Sequence, residues 1–197
     1  MRVGILGGTF DPIHNAHLFV AEDVAARLSI DRILLMPNGE PPHKNAYEVT
    51  AAEHRLKMVE LAVVGSERLI ADDFEVRAPW PSYTVNTLRE MSSRYPEAEI
   101  VFITGIDAVA DIASWRDPEG VLRLCRMVAV SRPGYAVSDL ERAVPPHLLD
   151  KIEILHTPEI AISSTQIRQR VAMGLPIRYL TPEAVVAYIR EHRLYLS

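Results

Sequence analysis

The chain has 197 residues, 48% of them hydrophobic, enough to bury one sizeable core, and is read as a single domain over residues 1–197. Its 21 Lys and Arg are scattered among 26 Asp and Glu for a net charge of −5, which argues against a general nucleic-acid binder and leaves the basic residues to serve a small anionic ligand. A single cysteine, Cys125, excludes an internal disulfide and suits a reducing, cytoplasmic setting, and the sequence has neither a bilayer-spanning run nor a basic segment leading into a signal core.

Residues 2–6 form a short apolar run of the kind that fills the centre of a parallel sheet. The strand is expected to break at Gly7-Gly8, where two residues without Cβ let the backbone turn. From about His14 to Leu28 the pattern is helical, so orphan amides and the positive end of the helix dipole face whatever sits above the sheet. An anion fits there. His14 and His17, three apart, share one face of the first turn and can donate to phosphate oxygens. Glycines after a first strand can serve packing alone, and a His pair can be polar surface; it is their coincidence at one turn that points to a phosphate. The run lacks the Gly-Lys-Ser/Thr of a P-loop and the spacing of G-x-G-x-x-G. A zinc reading of His-x-x-His lacks the Glu of His-Glu-x-x-His and any cysteine cluster.

Further strands are expected at 32–36, 69–71, 99–104, 126–130 and 151–155, with a long Pro-rich polar loop at 38–49. Helix starts are signalled by Thr50-Ala-Ala-Glu53 as a capping box, by Thr84, by Asp117-Pro118 and Thr181-Pro182 as cap-then-proline pairs, and by Ser163-x-x-Gln166, whose helix Gly174 ends. Strands and helices alternate without repeats. That pattern predicts an α/β fold, a Rossmann-like doubly wound parallel sheet with helices on both faces. Ligands in such sheets lie above the carboxyl ends of the strands, where Gly7-Gly8, loop 38–49 and Gly105 fall.

Gly105, after an apolar strand, allows close approach of a ligand, and Asp107 can accept from ribose hydroxyls or an adenine amine, or else cap the next helix. Ser163, Ser164 and Thr165 offer hydroxyls and free amides at a helix start; a plain cap would explain Ser163 and Gln166 but not Arg168 on the same turn. Trp115 can stack on an electron-poor aromatic ring or fill a core. Thr84 can receive a carboxylate at its helix start, which would favour an acid over an amide ligand. Lys44 and Arg132 are basic residues that could equally be surface charge. Cys125, at the edge of an apolar strand, is expected to be a small hydrophobe and not a nucleophile.

The run Gly7-Gly8-Thr9-Phe10-Asp11-Pro12-Ile13-His14-x-x-His17 resembles the signature of the nucleotidyltransferases that include the nicotinate-mononucleotide adenylyltransferases. The likeness continues, in that family's order, through PNGEPPHK ending at Lys44, Glu53-His54-Arg55 with Met58, Ser82-Tyr83-Thr84 with Thr87-Leu88, Gly105-x-Asp107 with Trp115, Ser131-Arg132-Pro133-Gly134, Ile162-Ser163-Ser164-Thr165-x-Ile167-Arg168 and Tyr179-Leu180-Thr181-Pro182. One departure is Ala16, where many members have Gly; it adds a methyl group and favours helix.

The resemblance implies transfer of the adenylyl group of ATP to nicotinate mononucleotide, releasing pyrophosphate, by direct in-line displacement. It places ATP against Gly7, Gly8, Thr9, Phe10, His17, Gly105, Asp107, Ser163, Ser164, Thr165 and Arg168, and the mononucleotide against Thr84, Trp115, Lys44 and Arg132. His14, His17, Lys44 and Arg168 would be the catalytic group. Mg²⁺ would arrive with ATP, with no protein metal site expected. Two alternatives stay open: a sister transferase using pantetheine phosphate or the amide mononucleotide, and a nucleotide sensor without turnover. The pair of histidines argues against the sensor, because binding alone does not need two donors at a reacting phosphorus.

Overall fold

Side chains along each strand alternate between two apolar layers, and the layers define the molecule. The computed structural model describes residues 1–39, 49–131 and 137–196. Strands β1 (Arg2–Gly8), β2 (Arg32–Pro37), β3 (Leu69–Ala71), β4 (Glu99–Gly105), β5 (Arg126–Val130) and β6 (Ile152–Leu155) form one sheet in the order β3-β2-β1-β4-β5-β6. Every adjacent pair is parallel. The helices are α1 (Asn15–Leu28), α2 (Ala52–Ala62), α3 (Phe74–Arg77), α4 (Thr84–Arg94), α5 (Ile106–Ala110), α6 (Pro118–Leu124), α7 (Val137–Ala143), α8 (Pro146–Leu149), α9 (Ser164–Ala172) and α10 (Glu183–Glu191).

Leu6, Ile33, Leu35, Val101 and Ile103 face one layer, where α1, α2, α9 and α10 bury Val24, Met58, Ile167 and Val185. Val3, Ile5, Leu34, Met36 and Phe102 face the other, against Leu88 of α4, Ile106 of α5, Val121 of α6 and Leu140 of α7. This two-residue period on both faces is what a covered parallel sheet requires. No described helix is long and apolar enough to cross a membrane.

β1 lies at the centre, with Leu6 opposite Leu35 of β2 on one side and Ile103 of β4 on the other. The chain winds outward from β1 through β2 to β3, then returns to the far side of β1 to start β4. Strand order therefore reverses between β1 and β4, and the crevice at their carboxyl ends is where this topology accepts a ligand.

Several local expectations hold, and two helix starts differ. Asp117 caps α6, accepting from the Gly120 N–H at 3.0 Å ahead of Pro118, and Ser163 caps α9, accepting from the Gln166 N–H at 3.2 Å. Gly174, at φ +68°, follows the end of α9. The Thr50 capping box does not form: Ala51 is the N-cap of α2, and Thr50 instead donates its N–H to the Asp11 carboxylate and accepts from Arg55 at its carbonyl. Pro182, not Thr181, is the N-cap of α10, because the Thr181 hydroxyl donates to the Ile13 carbonyl at 2.7 Å. In both cases a distant partner outcompetes the local cap.

Candidate active site

Gly7 and Gly8 do not form the expected turn. They are the last residues of β1, in register with Met36 and Pro37, and the turn occupies residues 9–14. Phe10 takes the left-handed region there, at φ 47°, and the Asp11–Pro12 peptide is cis. A Cβ on Gly8 would stand 3.2 Å from the Phe10 ring, whereas a Cβ on Gly7 would meet nothing within 4 Å, so the space over Gly7 is open. The turn is held through its carbonyls, each by a side chain from another part of the chain. Arg55 Nη1 donates to Thr9 O at 2.8 Å, Arg168 Nη1 to Asp11 O at 2.7 Å, the Ser164 hydroxyl to Pro12 O at 2.8 Å and the Thr181 hydroxyl to Ile13 O.

His14 is the N-cap of α1 and is buried. Its ring stacks on that of His17 with centroids 3.6 Å apart and planes 16° from parallel, and the edge of Phe10 meets His17 at 5.0 Å. The His14 N–H donates to His17 Nδ1 at 3.3 Å. An imidazole thus closes the first turn of α1 in the way a Glu or Gln does in a capping box. The i, i+3 spacing places both rings together, as expected.

Beneath this turn lies a polar network that sequence reasoning did not assign. Arg55 is 1% exposed, and besides Thr9 it donates from Nε to Thr50 O at 2.8 Å and from Nη2 to Gly39 O at 3.1 Å. Burial lowers its pKa and the nearby Asp11 carboxylate opposes that shift. Asp11, buried itself, accepts the Tyr195 hydroxyl at 2.7 Å and the Thr50 N–H at 3.3 Å. The Tyr195 hydroxyl is pushed up by burial and by Asp11, so it stays a donor. Asp11 and Arg55 both lie in motifs noted above, but nothing local marks Tyr195, which is 184 residues from its partner.

On the ATP side of the expected arrangement, Gly105 is the N-cap of α5 and Asp107 lies inside its first turn, so Asp107 is not the cap of that helix. Ser163, Ser164, Thr165 and Arg168 cluster at the start of α9, directly against the signature turn. The Ser164 hydroxyl and one arm of Arg168 are engaged with that turn, and Arg168 Nη2 also reaches Thr165 Oγ1 at 3.4 Å.

On the other side, Thr84 is the first residue of α4, and Trp115 is half-buried with its ring edge-on to Phe102 at 6.3 Å. The segment before α4 is joined to the end of β2: the Gly39 N–H donates to Ser82 Oγ at 3.0 Å, and a Cβ on Gly39 would run into the Glu75 carbonyl. Glu75 is buried, accepts from the Thr87 hydroxyl and from Asn38 Nδ2, and is shifted upward by burial. Lys44 and Arg132 lie outside the described residues. Cys125 is half-buried at the end of α6, its Sγ 3.3 Å from Val121 O and its pKa pushed up to about 12 by burial, which keeps it a thiol.

The carboxyl ends of β1 and β4, where a sheet of this topology accepts a ligand, thus carry a helix N-terminus and two stacked imidazoles, with hydroxyl and cationic groups of α9 beside them. Residues 5–170 match the family model described as cytidylyltransferase-like. A probable nicotinate-nucleotide adenylyltransferase of Symbiobacterium thermophilum is 41% identical over 198 residues, spanning 99% of this chain and 95% of the relative. One of Leifsonia xyli subsp. xyli is 45% identical over 196 residues, spanning 100% and 94%. In fold, the chain is similar to the Plasmodium falciparum nicotinic acid mononucleotide adenylyltransferase complexed with NaAD, with a TM-score of 0.79 and 21% identity over 98% of this chain and 97% of that one. On the strength of the model match and of the full-length relatives, the chain belongs to the cytidylyltransferase-like family, in the branch of the nicotinate-nucleotide adenylyltransferases.

Proposed function

We propose that the chain transfers the adenylyl group of ATP to nicotinate mononucleotide, forming nicotinate adenine dinucleotide and pyrophosphate. The observation that carries this reading is the stacked His14–His17 pair at the N-terminus of α1, at the switch point of the sheet. The activity named for the full-length relatives supports the choice of substrates. A phosphate oxygen of the acceptor forms the new bond to the α-phosphorus while the bond from that phosphorus to the β-phosphate oxygen breaks. The acceptor is already anionic, so the step needs no general base, only alignment and stabilisation of charge.

His17 Nδ1 accepts a backbone N–H, and that hydrogen bond assigns the proton of the neutral ring to Nε2. Nε2–H is then the donor for the charge that builds on the α-phosphoryl oxygens. Arg168 at the start of α9, and Lys44 from the long loop, would add positive charge around the leaving group, with Gly7, Thr9, Asp107 and Ser163 shaping the rest of the ATP site. Mg²⁺ would enter as part of the ATP substrate, held by phosphates and water. Thr84 and Trp115 would receive the pyridine ring, with Arg132 near the mononucleotide phosphate.

The test is an acceptor panel: the purified chain with ATP, Mg²⁺ and, in turn, nicotinate mononucleotide, its amide analogue and pantetheine phosphate, with pyrophosphate release measured. The acid mononucleotide should give the highest kcat/KM. Equal use of the amide, or preference for pantetheine phosphate, would reassign the acceptor, and no release with any acceptor would leave a binding protein.

A further inference from the structure

Two residues given to the mononucleotide site are each followed or preceded by one half of a cation–π pair. Tyr83 precedes Thr84, Arg116 follows Trp115, and the Arg116 guanidinium carbon lies 4.9 Å from the Tyr83 ring centroid. The pair joins the residue before α4 to the loop after residue 114, two segments that share no strand. We propose that Arg116 is a specificity-determining residue, whose charge, held over Tyr83 beside Thr84 and Trp115, favours an anionic pyridine substituent over a neutral one. This rests on the reading of Thr84 and Trp115 given above.

Three features favour that role over ordinary surface charge. Arg116 makes no ion pair among the described residues, while the acid next to it, Asp117, is engaged by Arg89 at 3.3 Å and Arg123 at 3.8 Å. Its charge is therefore not cancelled by its neighbour. An exposed arginine otherwise samples many rotamers, and the Tyr83 ring restrains this one through an interaction that survives partial exposure. Finally, the Tyr83 carbonyl accepts the Asn86 and Thr87 N–H groups at 2.9 and 3.3 Å, which begins α4 at Thr84 and sets its positive end next to the residue that carries Arg116. A helix end and a fixed cation from a different element then act on one ligand group. A carboxylate gains from both; a carboxamide gains from neither to the same degree.

The experiment compares kcat/KM for nicotinate mononucleotide and its amide analogue in the unaltered chain, Arg116→Gln and Arg116→Lys, from low to high salt. Arg116→Gln should lower the acid-to-amide ratio roughly two- to fivefold, the scale of one exposed charge interaction. Arg116→Lys, which keeps the charge, should recover most of that loss. The ratio in the unaltered chain should fall as salt screens the cation, and the Gln variant should respond less. A latch that acted only on structure would depress both acceptors together and would not distinguish Lys from Gln by charge. An unchanged ratio in Arg116→Gln, or equal loss for both acceptors, overturns the inference while leaving the proposed reaction intact. No pyrophosphate from the unaltered chain with either acceptor would instead remove the reading on which it rests.

Discussion

Because the two ring nitrogens of His17 have different duties in the proposed reaction, substitutions can separate them. His17→Ala removes both the acceptor for the His14 N–H and the Nε2 donor. It should lower kcat by roughly 10²–10³, the loss typical of one transition-state donor, with a smaller change in KM for either substrate. It should also cost about 0.5–1.5 kcal/mol of stability through the lost hydrogen bond. His17→Asn puts a carbonyl oxygen where Nδ1 stands, so steady-state kinetics and thermal unfolding should show the stability largely restored and kcat still low. Recovery of kcat in the Asn variant would assign the catalytic effect to helix capping and not to the Nε2 donor. The same residue bears on mechanism, since an imidazole that attacked ATP would give two displacements at phosphorus. ATP made chiral at the α-phosphorus should give product of inverted configuration, and retention would mean an adenylylated intermediate.

At the scale of elements, Arg55 of α2 is the piece that ties the crevice together. Its buried side chain reaches the signature turn at Thr9, Gly39 just beyond β2 and the entry to α2 at Thr50. Removing it would take one donor from each of three carbonyls and the positive charge of Arg55 from the neighbourhood of the buried Asp11. Arg55→Met should therefore destabilise the fold by about 3–5 kcal/mol, read by denaturant or thermal unfolding. Arg55→Lys should recover little, because one ammonium cannot span three acceptors that a planar fork reaches together. Near-complete recovery with Lys would show that charge beside Asp11 matters and the fork does not. This network also marks where sequence reading stops. The strands and α1 are legible because their signals are local: short apolar runs in β1, β2 and β4, and three-residue spacing of His14 and His17. The carbonyl contacts of Arg55, the Asp11–Tyr195 bond and the use of Thr50 and Thr181 join residues 5 to 184 positions apart, and the distant ones leave no periodic trace. Thr50 and Thr181 carry good cap signals, yet buried tertiary acceptors and donors are the stronger partners. The placement of the paired glycines failed for a related reason: pairing with β2 carries β1 two residues beyond its apolar run.

For the whole molecule, the strand order turns separate local signals into one crevice, because the reversal between β1 and β4 brings the signature turn, the start of α5 and the segment before α4 to the same edge. The apolar packing that holds this edge also buries Glu75, whose carboxyl is held above its ordinary value of 4.5, chiefly by desolvation and against hydrogen bonds from Thr87 and Ser82. The sign of the linkage follows. A carboxyl whose folded-state pKa is raised contributes stability that is fully present below its unfolded value and is lost as pH rises through the folded value. As pH rises above the ordinary carboxyl range, burial of Glu75 therefore costs the native fold stability. Glu75→Gln has the same shape, still accepts from Thr87 and has no proton to lose. The variant should melt higher than the unaltered chain at pH 8, by about 2–4 °C for each kcal/mol relieved in a chain of this size. The gap should close as pH is lowered toward the ordinary carboxyl range. Comparing the two chains at each pH cancels the titration of the other acids, so thermal unfolding from about pH 4.5 to 8 is sufficient. A gap that stays constant with pH, or a variant that melts lower throughout, would mean that Thr87 and Asn38 hold the charged form well enough to offset its burial.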